Sequence, residues 1–262
     1  MSARVQQMAI ATVLVLCSPI FAQEATKTAA TFILFLAGDS TMATQPVVPA
    51  TPGRGWGQML QPYFQEQVKV ENHASSGQSS KSFRGRWEKL IAAVKPGDSV
   101  LIQFGHNDSK PDEPRRTEPF GTYTENLTRF VQEVRDRKAT PILATSIVRN
   151  VWEADGKTLR DTHGDYVVAA RKVAEELKVP LLDLNKRTAE LVEQLGPERS
   201  KTLFNNVDPG LFPQYPDGFK DGTHLNALGG SRVCDLAIEE ILVKVPELAK
   251  SVKQGPVPKV RR

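Results

Sequence analysis

The stretch Thr31–Ser40, TFILFLAGDS, decides the fold. Its first part, Thr31–Ala37, is a short apolar run without polar alternation, which reads as a strand buried on both faces. Gly38–Asp39–Ser40 ends the run in a tight turn. Working outward, Val68–Asn72, Ser99–Phe104, Thr140–Thr145 and Val179–Asp183 read as further strands. Helical periodicity fills the gaps at Gly57–Gln65, Arg86–Ala93, Tyr123–Arg137, Asp165–Leu177 and Lys186–Leu195, and a last helix spans about Ala227–Val243. Strands alternating with helices at this spacing predict right-handed crossovers and a parallel sheet covered on both faces, an α/β domain. Two long proline-rich stretches, Thr44–Arg54 and Ser109–Gly121, follow strand ends and read as functional rims or mobile loops.

The composition agrees. Of 262 residues, 40% are hydrophobic and 24% charged, which fits a globular chain and excludes collagen-like, coiled-coil and wholly disordered classes. With two cysteines, Cys17 and Cys234, there is no disulfide framework. Cys234 sits in an apolar helical pattern and reads as a buried thiol. The net charge is +4, but no long basic run marks a nucleic-acid face.

Residues 1–22 carry one charge, Arg4, then an apolar stretch from Met8 to about Leu16, then Ser18–Pro19–Ile20–Phe21–Ala22. That is the layout of a secretory signal cleaved after Ala22, and it predicts a secreted or periplasmic protein. The apolar stretch is too short to span a membrane, so no stable membrane association is expected. A lipoprotein signal ending at Cys17 is the rival, weakened by the bulky Val15–Leu16 before it. The expected organisation is a signal peptide over 1–22, one domain over 31–245 and a C-terminal tail over 246–262.

In an open parallel sheet, ligands bind at the carboxyl ends of the strands. Three polar clusters lie there: Gly38–Asp39–Ser40, Ala74–Ser75–Ser76–Gly77 and Gly105–His106–Asn107–Asp108. A fourth, Asp221–Gly222–Thr223–His224, precedes the last helix. A serine nucleophile needs a base, a carboxylate to orient the base, and donors for the oxyanion. Ser40, His224 and Asp221 supply the first three parts. The Ser40 and Gly77 backbone N–H groups and the Asn107 side-chain amide supply the donors. The chain order Ser…Asp…His matches α/β-hydrolases, yet their G-x-S-x-G elbow is absent around Ser40.

These four blocks together resemble those of the SGNH (GDSL-type) hydrolases. Within them, LAGDSTMA (Leu36–Ala43), FGHND (Phe104–Asp108) and YPDG…DGTHLN (Tyr215–Asn226) are similar to the rhamnogalacturonan acetylesterase branch. Thr41 stands where the family's nickname has Leu. The resemblance implies a flavodoxin-like three-layer α/β/α sandwich with a five-stranded parallel sheet in order 2-1-3-4-5. It implies the same roles for Ser40, Gly77, Asn107, Asp221 and His224, and no metal or cofactor. It further implies a serine esterase acting on O-acetyl groups of a plant cell-wall polysaccharide, most of all rhamnogalacturonan, with the acetylated polymer or oligosaccharide as partner.

Several residues keep two readings. His106 lines the pocket or packs in its loop, Asp39 and Asp108 brace loops, and His163 caps the following helix. Arg84 and Arg115 are candidates for binding an acidic sugar, as are Lys81, Arg86, Lys110, Arg116 and Arg149, because guanidinium matches carboxylate with paired donors. Trp56, Trp87 and Trp152 are candidate sugar platforms, Trp87 more readily a core residue. Three rival functions remain: the same site on another ester, a metallophosphoesterase, and a non-catalytic carbohydrate-binding protein. The second lacks a convergent ligand cluster, and the third has no need of Ser, Asn, Asp and His together.

Overall fold

Alternate residues of the first strand point to opposite sides of a sheet, and both sides are dry. In the computed structural model, which describes residues 32–47 and 51–253, β1 spans Phe32–Gly38 and Leu34–Ala37 are fully buried. Leu34 and Leu36 enter one hydrophobic core, and Phe35 and Ala37 enter the other. The same division holds in β3 (Ser99–Gln103) and β4 (Thr140–Ala144): Leu101, Ile142 and Ala144 face the first core, while Val100, Ile102 and Leu143 face the second. Period-two geometry with two covered faces therefore explains the unbroken apolar runs.

β2 (Val68–Asn72) and β5 (Leu181–Leu182) complete a five-stranded parallel sheet in order β2-β1-β3-β4-β5. This is the expected α/β sandwich. One face is covered by α1 (Arg84–Ala93), α2 (Thr124–Asp136) and α3 (Asp165–Glu176), through Trp87, Leu90, Phe130, Val131 and Val173 among others. The opposite face carries α4 (Leu184–Arg199) and α5 (Ala227–Lys244). Among the described residues no helix is long and apolar enough to cross a membrane.

β1 pairs with β2 on one side and β3 on the other, so the loops after these strands splay apart at a crevice. That crevice is where Ser40 sits.

Four expectations need correcting. The helix read over Gly57–Gln65 is two short 3-10 turns, Trp56–Met59 and Gln61–Tyr63. Pro62 has no N–H to donate back to the Gln58 carbonyl, so one α-helical bond cannot form, and at Gly57 the chain passes too close to Met42 for a side chain, with an added Cβ 2.7 Å from the Met42 carbonyl oxygen. The last strand is only Leu181–Leu182, because Asp183 already caps α4 by accepting from the Lys186 N–H. α4 runs past Leu195 to Arg199, broken at Gly196, whose φ of +72° is the left-handed region. The domain does not end at 245. A short helix, α6 (Pro246–Ala249), buries Leu248, and Val252 bridges to Phe64, so residues 246–252 belong to the fold. The expected signal over 1–22 and the end of the tail lie outside the described residues.

Candidate active site

Ser40 stands one residue past the buried Asp39, where the chain leaves β1 and begins a helical turn. The Met42 and Ala43 N–H groups donate to the Asp39 carbonyl at 3.2 and 3.0 Å. The turn is anchored from below. Asp39 Oδ1 accepts from the Thr41 N–H at 2.9 Å and from the Thr41 hydroxyl at 2.8 Å. Thr41 Oγ1 in turn accepts from Gln103 Nε2 at 3.1 Å, and Gln103 Oε1 accepts from the Trp56 indole at 2.8 Å. These groups are buried, so the network is a rigid floor rather than a solvated one. Burial raises the Asp39 carboxyl to about 6 against the opposing bonds from Thr41.

His224 reaches Ser40 from the loop before α5. Its Nε2 lies 2.9 Å from Ser40 Oγ, and its Nδ1 lies 2.5 Å from Asp221 Oδ2. The three-residue spacing works because Asp221 closes a local turn on its own backbone. Its Oδ1 accepts from the Thr223 N–H at 2.7 Å and the His224 N–H at 3.1 Å, leaving Oδ2 for the ring. The loop is tied down by Asn150, whose N–H donates to the Gly222 carbonyl at 2.7 Å, and by the Asn205 N–H on the His224 carbonyl at 2.8 Å. Gly222 is required there, since an added Cβ would lie 2.8 Å from the Asn150 carbonyl oxygen.

The electrostatics follow from these contacts. The bond from Asp221 raises the His224 pKa above the ordinary imidazole value, against a smaller lowering by burial. Burial works to raise the Asp221 carboxyl, yet the bonds from the His224 ring and the turn backbone hold it below the usual carboxylate range. A neutral imidazole accepting from a serine hydroxyl and backed by an ionised carboxylate can take a proton from that hydroxyl.

The strand-two and strand-three loops form the facing wall. Gly77 has φ of +77°, and Asn107, nearly buried, donates through Nδ2 to the Gln78 carbonyl at 3.0 Å. Asp108 clamps the two loops by accepting from the Ser80 N–H at 3.0 Å, the Ser80 hydroxyl at 2.5 Å and the Thr117 hydroxyl at 3.1 Å. Its burial outweighs those bonds and pushes the carboxyl up to about 7. Ser40, Gly77, Asn107 and His224 line one arm of the cleft, of about 320 Å³. A second arm of about 350 Å³ shares Ser40 and His224 and is walled by Arg54, Asn205, Tyr215 and Phe219. The Tyr215 and Phe219 rings stack at 5.1 Å, inclined by 21°.

The candidate sugar-binding residues divide. His106 and Arg115 line the first arm. Arg84 does not: it opens α1 on the exposed side, because the chain has already turned away from the cleft into the core at Phe83. Trp56 is no platform either, being fully buried on Gln103, and Trp87 is a core residue. His163 does not cap α3, since Gly164 occupies the cap and Asp161 Oδ1 takes the His163 and Gly164 N–H groups. Its ring instead meets His106, Nε2 to Nδ1 at 3.1 Å. Burial lowers both imidazoles, His163 to about 4. Both are thus neutral, one ring donating to the other. Among the described residues no three His, Cys, Asp or Glu side chains cluster as metal ligands would. Sequence reasoning did not find the Gln103 floor, the His106–His163 pair or the Tyr215–Phe219 pair. The first two join segments distant in sequence, and only the last is local, two aromatics flanking Pro216–Asp217–Gly218.

Residues 36–231 match the model of the GDSL-like lipase/acylhydrolase family. A rhamnogalacturonan acetylesterase of Bacillus subtilis, RhgT, is 42% identical over 210 residues, spanning 79% of this chain and 88% of that protein. A rhamnogalacturonan acetylesterase of Emericella nidulans is 28% identical over 236 residues, covering 80% and 84%. Among solved structures, the protein YxiM of Bacillus subtilis superposes with a TM-score of 0.68 at 27% identity, over 81% of this chain and 56% of that one. This chain thus spans little more than half of YxiM. An acetylxylan esterase from Geobacillus stearothermophilus shares the fold, with a TM-score of 0.59 at 20% identity over 82% and 96%.

Proposed function

This chain belongs to the GDSL-like lipase/acylhydrolase family and is a carboxylic ester hydrolase, and we propose that it is a secreted serine acetylesterase that deacetylates rhamnogalacturonan. The observation that carries the reading is the relay from Ser40 Oγ through His224 to Asp221, with 2.9 and 2.5 Å steps, at the mouth of an open cleft. Two relatives named for rhamnogalacturonan deacetylation, 42% and 33% identical, support the substrate. The apolar leader over residues 8–16 supports export.

In this reading Ser40 Oγ attacks the acetyl carbonyl carbon as its proton passes to His224 Nε2. The carbonyl oxygen takes the negative charge. It is held by the Ser40 and Gly77 N–H groups and by the second N–H of Asn107 Nδ2, the first being fixed on Gln78. Asp221 keeps the Nδ1 proton in place and stabilises the imidazolium. His224 then protonates the departing sugar oxygen, leaving an acetyl-serine. Water, deprotonated by His224, attacks that ester, and acetate leaves with Ser40 restored.

Acetate release from acetylated rhamnogalacturonan, acetylated xylan and acetylated homogalacturonan, measured side by side, tests the substrate. The expected result is the highest kcat/KM on rhamnogalacturonan. Equal or higher values on xylan would assign the same site to a different polymer.

A further inference from the structure

The two arms that meet at Ser40 and His224 differ in charge. The arm walled by Gly77 and Asn107 is lined by three cations, Lys110, Arg115 and Arg149, and by no carboxylate. The three are not equivalent. Arg115 is already neutralised: its Nε and Nη2 hold both oxygens of Asp112 at 2.7 and 2.6 Å, and its Nη1 faces Asn107 Oδ1 at 3.5 Å. Lys110 is exposed at the rim. Arg149 is half-buried beside the pair that does the chemistry, and its Nη2 donates to a neutral acceptor, the His106 carbonyl, at 3.0 Å. Burial disfavours its charge, while the anions that act on it, Asp39 and Asp221, are bonded to Thr41 and His224. A half-buried guanidinium facing a cleft without a carboxylate is set up to bind an anion, because charge-assisted bonds are strong where water is partly excluded.

The opposite arm is unlike it. Its lining includes Asp221 and the stacked Tyr215–Phe219 pair, and its cation, Arg54, turns Nη1 onto the Thr51 and Gly53 carbonyls. That lining suits an uncharged ring.

We propose that the Arg149 arm is a carboxylate subsite, in which Arg149, with Lys110 at the rim, holds the carboxylate of a uronate of the bound chain. The proposal rests on the reading of this site as a polysaccharide esterase, and it fixes on which side of Ser40 the acidic sugar lies. Arg115 then acts on the neighbouring amide of Asn107, not on the substrate. A carboxylate in this arm has two possible sources, a uronate of the polymer or the acetate product. An arm of about 320 Å³ is far larger than acetate needs, so the uronate is the occupant.

The test is inhibition of 4-nitrophenyl acetate hydrolysis by trigalacturonate, xylotriose and acetate. Trigalacturonate should compete, with Ki weakening as salt is raised from about 0.01 to about 1 M. Its Ki should rise roughly tenfold in Arg149→Gln and roughly threefold in Lys110→Gln, the loss of a charged hydrogen bond and of a rim charge. Arg149→Lys should fall between, and the effect of xylotriose should not change with salt. Because Arg149 also holds the His106 carbonyl, thermal unfolding of each variant is measured, and Lys110→Glu with the salt series decides the matter if Arg149→Gln does not fold. Trigalacturonate binding unchanged by salt and by the Arg149 and Lys110 variants would overturn the subsite. Acetate binding as tightly as trigalacturonate, and lost in the same variants, would overturn it by making the site a product site. Salt-sensitive trigalacturonate inhibition without acetate release from rhamnogalacturonan would uphold the subsite and remove only the substrate reading.

Discussion

Replacing Gln103 by methionine keeps the volume at the end of β3 and removes the amide that joins the Ser40 turn to the core. Two bonds are lost: Trp56 Nε1 to Gln103 Oε1, 2.8 Å, and Gln103 Nε2 to Thr41 Oγ1, 3.1 Å. Trp56 and Gln103 are both fully buried, so no bulk water replaces the missing acceptor. A stranded buried donor costs about 1–3 kcal/mol, and the bond to Thr41 adds about 0.5–1.5 kcal/mol. The total, roughly 2–4 kcal/mol, lowers Tm by roughly 5–15 °C for a domain of this size. The kcat should fall as well, because Ser40 lies between the two residues, Asp39 and Thr41, that this chain of bonds fixes. Thermal unfolding and acetate release on the same preparations read both effects. Trp56→Phe supplies the second edge of a double-mutant cycle. With the indole N–H already gone, Gln103→Met should cost at least about 1 kcal/mol less than it does alone. Additive losses, or a Gln103→Met protein with unchanged Tm and kcat, would refute the view that a buried bond chain positions the turn.

Asn107→Ala should lower kcat roughly 100- to 1000-fold with little change in KM, the loss of one oxyanion donor; steady-state kinetics showing normal kcat and raised KM would make Asn107 a substrate-binding group instead. The acid limb of the kcat/KM profile should be a single protonation above the ordinary imidazole pKa, because the Asp221 bond raises His224 and only the neutral ring accepts the Ser40 proton. In Asp221→Asn that limb should move to lower pH while kcat drops by up to about 10⁴-fold, and a limb that stays in place would separate Asp221 from the titration. EDTA should leave the wild-type rate unchanged, checked by acetate release before and after dialysis, and loss restored by a divalent ion would revive the metallophosphoesterase class.

The sheet was legible because its strands are buried on both faces, so runs such as Leu34–Ala37 carry no polar residue to confuse the period. The residues brought together at the cleft, Ser40, Asp221 and His224, were legible for a local reason. Each lies in a short polar string directly after a strand or before a helix, where side chains emerge at the sheet's edge. What depended on long-range packing was not. Trp56 read as a candidate platform, yet Gly55 and Gly57 let the chain pass close to Met42 and Ala43 and the indole sink onto Gln103 at the end of β3. Arg84 and Arg149 are indistinguishable as basic residues after strand ends, and only the path of each loop exposes one and half-buries the other. Residues 246–252 read as a tail because they are short and follow a long helix, but Leu248 and Val252 complete the core beside Phe64.

Acetate release from acetylated rhamnogalacturonan by Ser40→Ala tests the central claim most directly. Ser40 Oγ carries the bond to His224, and Ser40 lines both arms of the cleft. The substitution removes the hydroxyl without disturbing Asp39, Thr41 or Gln103. The account predicts a variant that unfolds at the wild-type temperature and releases no acetate above the substrate's own hydrolysis. A folded Ser40→Ala protein that keeps a measurable share of wild-type turnover would contradict it.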